Sequence, residues 1–275
     1  MADRLSALLA TFSLHSRVYF AGTLLGSVDS AAVPGEGHLH LLRRGRLVCA
    51  GPGGQAQTFD RPTLLFFPRA DRHRLQATQA DGADLVSARV DFGGPRGNPV
   101  LAGLPASLAF PLDTLPALAA AVDLLCEEAF AARCGHQAVV DRLAELLVIQ
   151  LLRHLMQSRT LDRGVMGGLA DPRLARAIAA MHGAPGRPWT LDTLAAEAGM
   201  SRARFAARFA EVVQTPPGDY LAGWRMTVAQ QLLRQGLAVK AVAAEVGYGS
   251  AAALSRAFAQ RVGQAPAAWA AAQAR

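Results

Sequence analysis

At 275 residues with 51% hydrophobic side chains, the chain is long enough for two ordinary domains with separate cores, and disorder is excluded as its ground state. No apolar run approaches the roughly 20 residues that span a bilayer. The opening MADRLSALLATFSLHSRV has charges at Asp3 and Arg4 and no small-residue cleavage pattern, so a cytoplasmic protein with no membrane partner is expected.

The formal net charge of +7 is unevenly spread. Residues 1–160 hold 15 arginines against 14 acids, whereas residues 161–275 hold 12 arginines and Lys240 against 7 acids. A surplus confined to one end of a chain points to a polyanion, and nucleic acid is favoured over membrane because no basic amphipathic stretch has a bulky apolar face. The cysteines Cys49, Cys126 and Cys134 are odd in number and lack paired-ligand spacing, so neither a disulfide framework nor a zinc ribbon is implied.

In chain order, residues 15–92 read as short strands broken by turn signals. HLHLLRRG, RLVCAGPGG, PTLLFFPRA and ADLVSARVDF each run a few residues between Gly, Pro or Asp, which suits a small antiparallel barrel or sandwich. After the turn-rich DFGGPRGNP the texture changes. From Leu115 to Gln157 apolar residues recur at helical spacing, with Cys134-Gly135-His136 as the break between two helices. Such a pair either packs within the subunit or forms a dimer seam, and the seam is the favoured reading. Residues 158–170, SRTLDRGVMGGLA, read as a linker. Beyond Asp171 the pattern is helical throughout, with Gly183 and Pro185 ending one helix and Thr190 capping the next.

The last hundred residues contain an internal repeat. LAAEAGMSRARFAARFAEVVQTPP (194–217) lies over VAAEVGYGSAAALSRAFAQRVGQAP (242–266) with Gly249 inserted. Gly199 then matches Gly247, Ser201 matches Ser250, Phe205 matches Leu254, Phe209 matches Phe258 and Pro217 matches Pro266. Each copy is a short Ala-rich helix, a glycine turn, a capping serine and a longer helix with apolar anchors four apart, which is helix-turn-helix grammar. Between the copies one long helix, with Tyr220, Leu221, Trp224, Met226, Ala229, Leu232 and Leu233 facing a core, would hold two recognition helices at the separation of successive major-groove turns.

WTLDTLAAEAGMSRARFAARF, YLAGWRMTVAQQLL and VAAEVGYGSAAALSRAF…GQAP resemble the DNA-binding domain of AraC/XylS-family transcription regulators over about residues 172–270. GHLHLLRRGRL, LLFFPRADRHRL and the following helix pair resemble the cupin-type sensor of one group of these regulators. The resemblance implies an α+β chain: a cupin-like sensor barrel over 1–112, a connecting and dimerising helix pair over 113–160, and a double helix-turn-helix domain over 172–275. It implies a homodimer that binds operator or promoter DNA, answers a small-molecule or ion effector and contacts RNA polymerase, as an activator in the commonest case. Two departures stand out: Gln214 takes the place of a usual glycine, and Ala251-Ala252-Ala253 replaces a more polar stretch. Oxidant sensors of similar layout use barrel cysteines where Phe20 and Ser87 stand here, which argues against thiol sensing.

The DNA-facing set predicted in the first unit is Ser201, Arg202, Ala203, Arg204, Ala206, Ala207 and Arg208, and in the second Ser250, Ala251, Ala252, Ser255 and Arg256. The arginines suit phosphates or guanine edges, and the alanines only thymine methyls. In the barrel, His38 and His40 share one face of a strand, and His73 from a later strand could join them around a divalent metal or an organic or anionic effector. Arg43 and Arg44 stand where a cupin metal motif has its carboxylate. That weakens the rival reading, a metal-dependent cupin enzyme with a helical appendage. A non-specific architectural DNA-binding protein is the third reading, and it has no use for a sensor barrel.

Overall fold

The computed structural model describes residues 5–12, 14–33, 35–51, 53–92, 101, 103–131, 133–158, 161 and 163–273. Asp3 and Arg4, and the turn-rich residues 93–100, therefore lie outside the described residues. The chain divides into two compact units, one formed by Ser13–Leu161 and one by Asp162–Arg275 together with Met1–Phe12.

The described residues of the first unit form nine strands. β1 (His15–Leu24), β8 (Ala83–Asp91), β3 (Glu36–Gly45), β6 (Thr63–Phe67) and β9 (Leu108–Pro111) form one antiparallel sheet in that order. β2 (Gly26–Ser30), β7 (His73–Ala77), β4 (Leu47–Ala50) and β5 (Ala56–Phe59) form the other. The strands expected from HLHLLRRG, RLVC, PTLLFF and ADLVSARVDF are β3, β4, β6 and β8. They make two sheets rather than a closed hydrogen-bonded ring, with β5 and β9 as free edges. Period-2 alternation turns Leu42, Leu65, Phe67, Leu75 and Leu85 inward into one cluster with Leu24, Leu47 and Cys49.

The helix pair is α2 (Ala119–Ala131) and α3 (His136–Gln157). Gly135, at φ 78°, makes the turn between them. The free edge of β1 is closed by side chains of α3. Asp141 Oδ1 accepts from the Val18 amide at 2.7 Å, Glu145 Oε1 accepts from the Ser16 amide at 3.2 Å, and Gln137 Nε2 donates to the Val18 carbonyl at 2.9 Å. An edge strand covered in this way presents few backbone groups for unwanted pairing.

The second unit is helical: α4 (Gly164–Ala170), α5 (Leu174–Gly183), α6 (Leu191–Ala198), α7 (Arg202–Val213), α8 (Pro217–Arg234), α9 (Val239–Glu245), α10 (Ala251–Val262) and α11 (Pro266–Gln273). The expected linker over 158–170 is corrected in part. Residues 164–170 form a helix whose Val165, Met166 and Leu169 are buried. Gly168 serves close packing: a Cβ on it would stand 2.7 Å from Ile178 Cδ1 and 2.9 Å from Val213 Cγ2. The N-terminal helix α1 (Ser6–Thr11) also belongs here. Leu5, Leu8 and Phe12 are buried, and the Phe12 ring meets Trp224 edge-on at 5.8 Å.

Candidate nucleic-acid interface and sensor interior

The two helix-turn-helix units are built from the residues that the repeat singled out. Phe205 and Phe209 on α7, and Leu254 and Phe258 on α10, are fully buried, so each longer helix turns its opposite face outward. Gly199 at φ 62° and Gly247 at φ 78° make the two turns. Space is short at both: a Cβ on Gly199 would meet Arg176 Nη2 at 2.7 Å, and one on Gly247 would meet the Gly186 carbonyl oxygen at 2.7 Å. Ser250 caps α10 by accepting from the Ala253 amide at 3.1 Å. Ser201 stands at the same place before α7 without a side-chain cap bond, so the expected serine cap operates in the second unit.

The connecting helix α8 buries Tyr220, Leu221, Trp224, Met226, Ala229 and Leu233, with Leu232 half-buried. Arg225 ties the units together, donating through Nε to the Pro185 carbonyl at 2.8 Å and through Nη2 to the Arg187 carbonyl at 2.9 Å. Its guanidinium also reaches the Tyr248 ring of the second unit at 5.9 Å.

On α7, Arg202, Ala203, Arg204, Ala207 and Arg208 are exposed and Ala206 is half-buried; on α10, Ala252 and Arg256 are exposed, and Ala251 and Ser255 are half-buried. Ser201 and Ser250 are exposed at the helix starts. The arginines differ in their partners. Arg202 pairs with Asp192 at 3.4 Å, and Arg208 pairs with Asp171 at 3.4 Å and Glu211 at 3.1 Å. Arg204 and Arg256 form no ion pair with any described residue.

Inside the first unit, His38 and His40 on β3 and His73 on β7 come together as the spacing predicted. His40 Nε2 lies 2.7 Å from His73 Nε2, His40 Nδ1 lies 2.9 Å from Ser87 Oγ, and His73 Nδ1 lies 2.9 Å from the Asp71 carbonyl. A carbonyl only accepts, so His73 carries its proton on Nδ1 and accepts at Nε2. His40 then donates from Nε2 and accepts from the Ser87 hydroxyl, giving one directed chain of neutral rings. Burial pushes all three histidines below their ordinary pKa. His38 falls to about 4, helped by His73 and Arg89; His40 falls well below normal; and the Asp71 carbonyl partly opposes the fall at His73. His38 is stacked parallel to His40 at 5.9 Å and keeps a buried Nδ1 with no hydrogen-bond partner among the described residues.

No group of three histidine, cysteine or acidic side chains among the described residues is arranged to hold an ion.

A family described as Cupin matches residues 3–157, and a family described as Helix-turn-helix domain matches residues 194–272. A putative AraC-like transcription regulator of Streptomyces lividans is 33% identical over 252 residues, covering 89% of this chain and 82% of the relative. The chain belongs to the AraC family of transcription regulators. The HTH-type transcriptional regulator AlkR of Acinetobacter baylyi is 28% identical over 94% of this chain and 86% of its own length. A solved AdpA DNA-binding domain in complex with target DNA is 34% identical, covering 37% of this chain and 92% of that one, at a TM-score of 0.35.

As an AraC-family regulator the protein binds double-stranded DNA and controls transcription, with a cupin-type unit preceding the two helix-turn-helix units. No described helix is long and apolar enough to cross a membrane. Sequence reasoning missed three features of this regulator. Ser87 and the Asp71 carbonyl, which orient the histidine chain, carry no local signal. The same is true of Phe67, which stacks on His73 with centroids 3.8 Å apart. Arg176 donates to the Ala198 carbonyl at 2.9 Å beneath the first turn, and its partner is 22 residues away.

Proposed function

We propose that this AraC-family regulator switches transcription in the cytoplasm as a homodimer, through a small effector taken into its cupin unit, and that it contacts RNA polymerase when bound at a promoter. The observation that carries the reading is the pair of outward helix faces on α7 and α10, each with one arginine that has no acidic partner among the described residues. In this reading Arg204 and Arg256 are the main cationic contacts to DNA, Arg202 and Arg208 are recruited from their surface ion pairs, and Ser201 and Ser250 approach phosphates at the helix starts. Ala203, Ala206, Ala207, Ala251, Ala252 and Ser255 form the close-fitting surface against base edges and thymine methyls.

Residues 1–112 are assigned to effector sensing, 113–160 to dimerisation and 172–275 to DNA contact, with α1 built into the last. Val139 and Leu146 on α3 support the dimer. They stand seven residues apart, two helical turns on one face, and both are large exposed apolar side chains. His38, His40 and His73 are the group through which the effector acts, since a chain of neutral buried rings is rearranged by any ligand that offers a competing donor or acceptor. Catalysis is no part of this reading, and the relatives are named as regulators.

The test is selection of an operator from random DNA with the full-length protein, followed by footprinting. Protection of two adjacent major-groove segments per protomer is expected. A single segment, or uniform binding to all DNA, would refute the assignment of two reading helices.

A further inference from the structure

Between the free edges of β5 and β9 the two sheets leave a slot of about 370 Å3, within the size range of small-molecule sites. Its walls are Cys49, Phe59, Leu65, Phe67 and Leu108, and Gln55, Gln57 and Ser107 stand exposed at its mouth. Among the described residues lining it none carries a charge. Burial pushes the Cys49 thiol up to about 11, so it too is uncharged at neutral pH. A second cavity of this unit has the opposite chemistry: about 640 Å3, lined by Asp29, Arg72, His73 and Arg74 among others.

The lining sorts ligands by charge. An ionised carboxylate or ammonium entering the slot would lose its hydration and find no counter-charge, which costs several kcal/mol. An apolar body loses nothing there, and a hydroxyl or carbonyl at one end can bond the glutamine amides or the serine at the mouth. The volume holds on the order of a dozen heavy atoms at the roughly 30 Å3 that a water takes in the liquid. Because β5 and β9 are each paired on one side only among the described residues, the slot can widen without breaking a described ladder.

Phe67 gives the slot its route to the rest of the unit. One side of this ring lines the slot, while its face stacks on His73, 3.8 Å away and within 3° of parallel. His73 in turn accepts from His40. A molecule pressing on Phe67 therefore disturbs the first link of the histidine chain.

We propose that this slot is a binding site for a small uncharged, mainly apolar molecule with one terminal hydrogen-bonding group, of the class of medium-chain alcohols. The proposal deepens the effector reading above and rests on it. The test uses the full-length protein and the neutral dye N-phenyl-1-naphthylamine, displaced by 1-decanol or by decanoate. Saturable binding of one dye per chain is expected, with displacement by decanol at concentrations at least tenfold below those needed for decanoate. Gly51→Phe, just past the end of β4, and Ala109→Trp, on β9, both fill the slot and should each weaken dye binding at least tenfold while retaining the wild-type circular dichroism. Equal displacement by the two competitors, or wild-type dye binding in both filled variants, overturns the proposal. Decanol that binds in the slot yet leaves affinity for the selected operator unchanged supports the site and refutes its effector role.

Discussion

Gln214 and Gly263 hold the same position in the two helix-turn-helix units, and both are left-handed. Each caps the C-terminus of its longer helix, Gln214 at φ 62° and Gly263 at φ 89°. Gln214 is the only described non-glycine residue with positive φ. Its side-chain amide donates to the Glu211 carbonyl, which recovers part of the cost of holding a side chain in that region.

The first prediction follows from this pair. A left-handed residue with a Cβ costs about 1–2 kcal/mol, while glycine loses more chain entropy on folding by about 0.4–1 kcal/mol. Gln214→Gly is expected to stabilise the second unit by about 0.5–1 kcal/mol, and Gln214→Val to destabilise it by more than 1 kcal/mol. Urea unfolding followed by tryptophan fluorescence reports on this unit alone, because Trp189, Trp224 and Trp269 all lie in it. An unchanged midpoint for both variants would show that the cap is not strained.

The two turn glycines should differ in tolerance. At Gly247 a Cβ meets the backbone oxygen of Gly186, which cannot swing aside, and at Gly199 it meets the end of the Arg176 side chain. Gly247→Ala is expected to cost about 2–3 kcal/mol, combining positive-φ strain with a displaced backbone, and to lower operator affinity more than tenfold. Gly199→Ala should cost about 1–2 kcal/mol. The reverse order in thermal unfolding would contradict the packing described.

Operator affinity should fall steeply with salt, since each neutralised phosphate releases nearly one counterion. Arg204→Ala and Arg256→Ala should each reduce the slope of log K against log salt by about 1 if the residue contacts a phosphate. Arg202→Ala should do less, because its guanidinium must first leave Asp192. A loss confined to one base pair of the operator would instead make Arg204 a reader of guanine.

His182 sets a pH dependence for the second unit. It bonds Tyr220 Oη at 2.6 Å, stacks on Trp224 at 3.8 Å, and burial lowers its pKa to about 3. The unfolded chain has an ordinary histidine near 6.5 and binds a proton first as the pH falls. Stability is therefore full above about pH 6.5 and declines toward pH 3, by about 1.4 kcal/mol per pH unit from this group. His182→Phe should be less stable than wild type at pH 7, because Tyr220 loses its partner, but its decline between pH 6 and 4 should be shallower by that amount. Parallel curves for the two proteins would mean that His182 titrates in the folded state.

The helix-turn-helix repeat was legible because its signals are local. A glycine in a tight turn, a serine before a helix and apolar anchors four residues apart are each decided within one or two turns of chain, and duplication doubled every one of them. The histidines at 38, 40 and 73 were legible as a group for a similar reason, since strand alternation alone puts residues two apart on one face.

What only the tertiary structure decided lies in contacts between distant segments. Glycines 164, 167 and 168 read as a linker in sequence, yet Gly168 is small because Ile178 and Val213 press against it. Leu5, Leu8 and Phe12 could have belonged to either unit, and it is the apolar surface around Trp224 that takes them. A hydroxyl on Ser87, 47 residues from His40, and a carbonyl at Asp71 tie His40 and His73 into a hydrogen-bonded chain. Short polar strands such as β2 and β7 acquire their conformation from the partners they pair with, because an isolated strand of five residues has no internal hydrogen bonds to hold it.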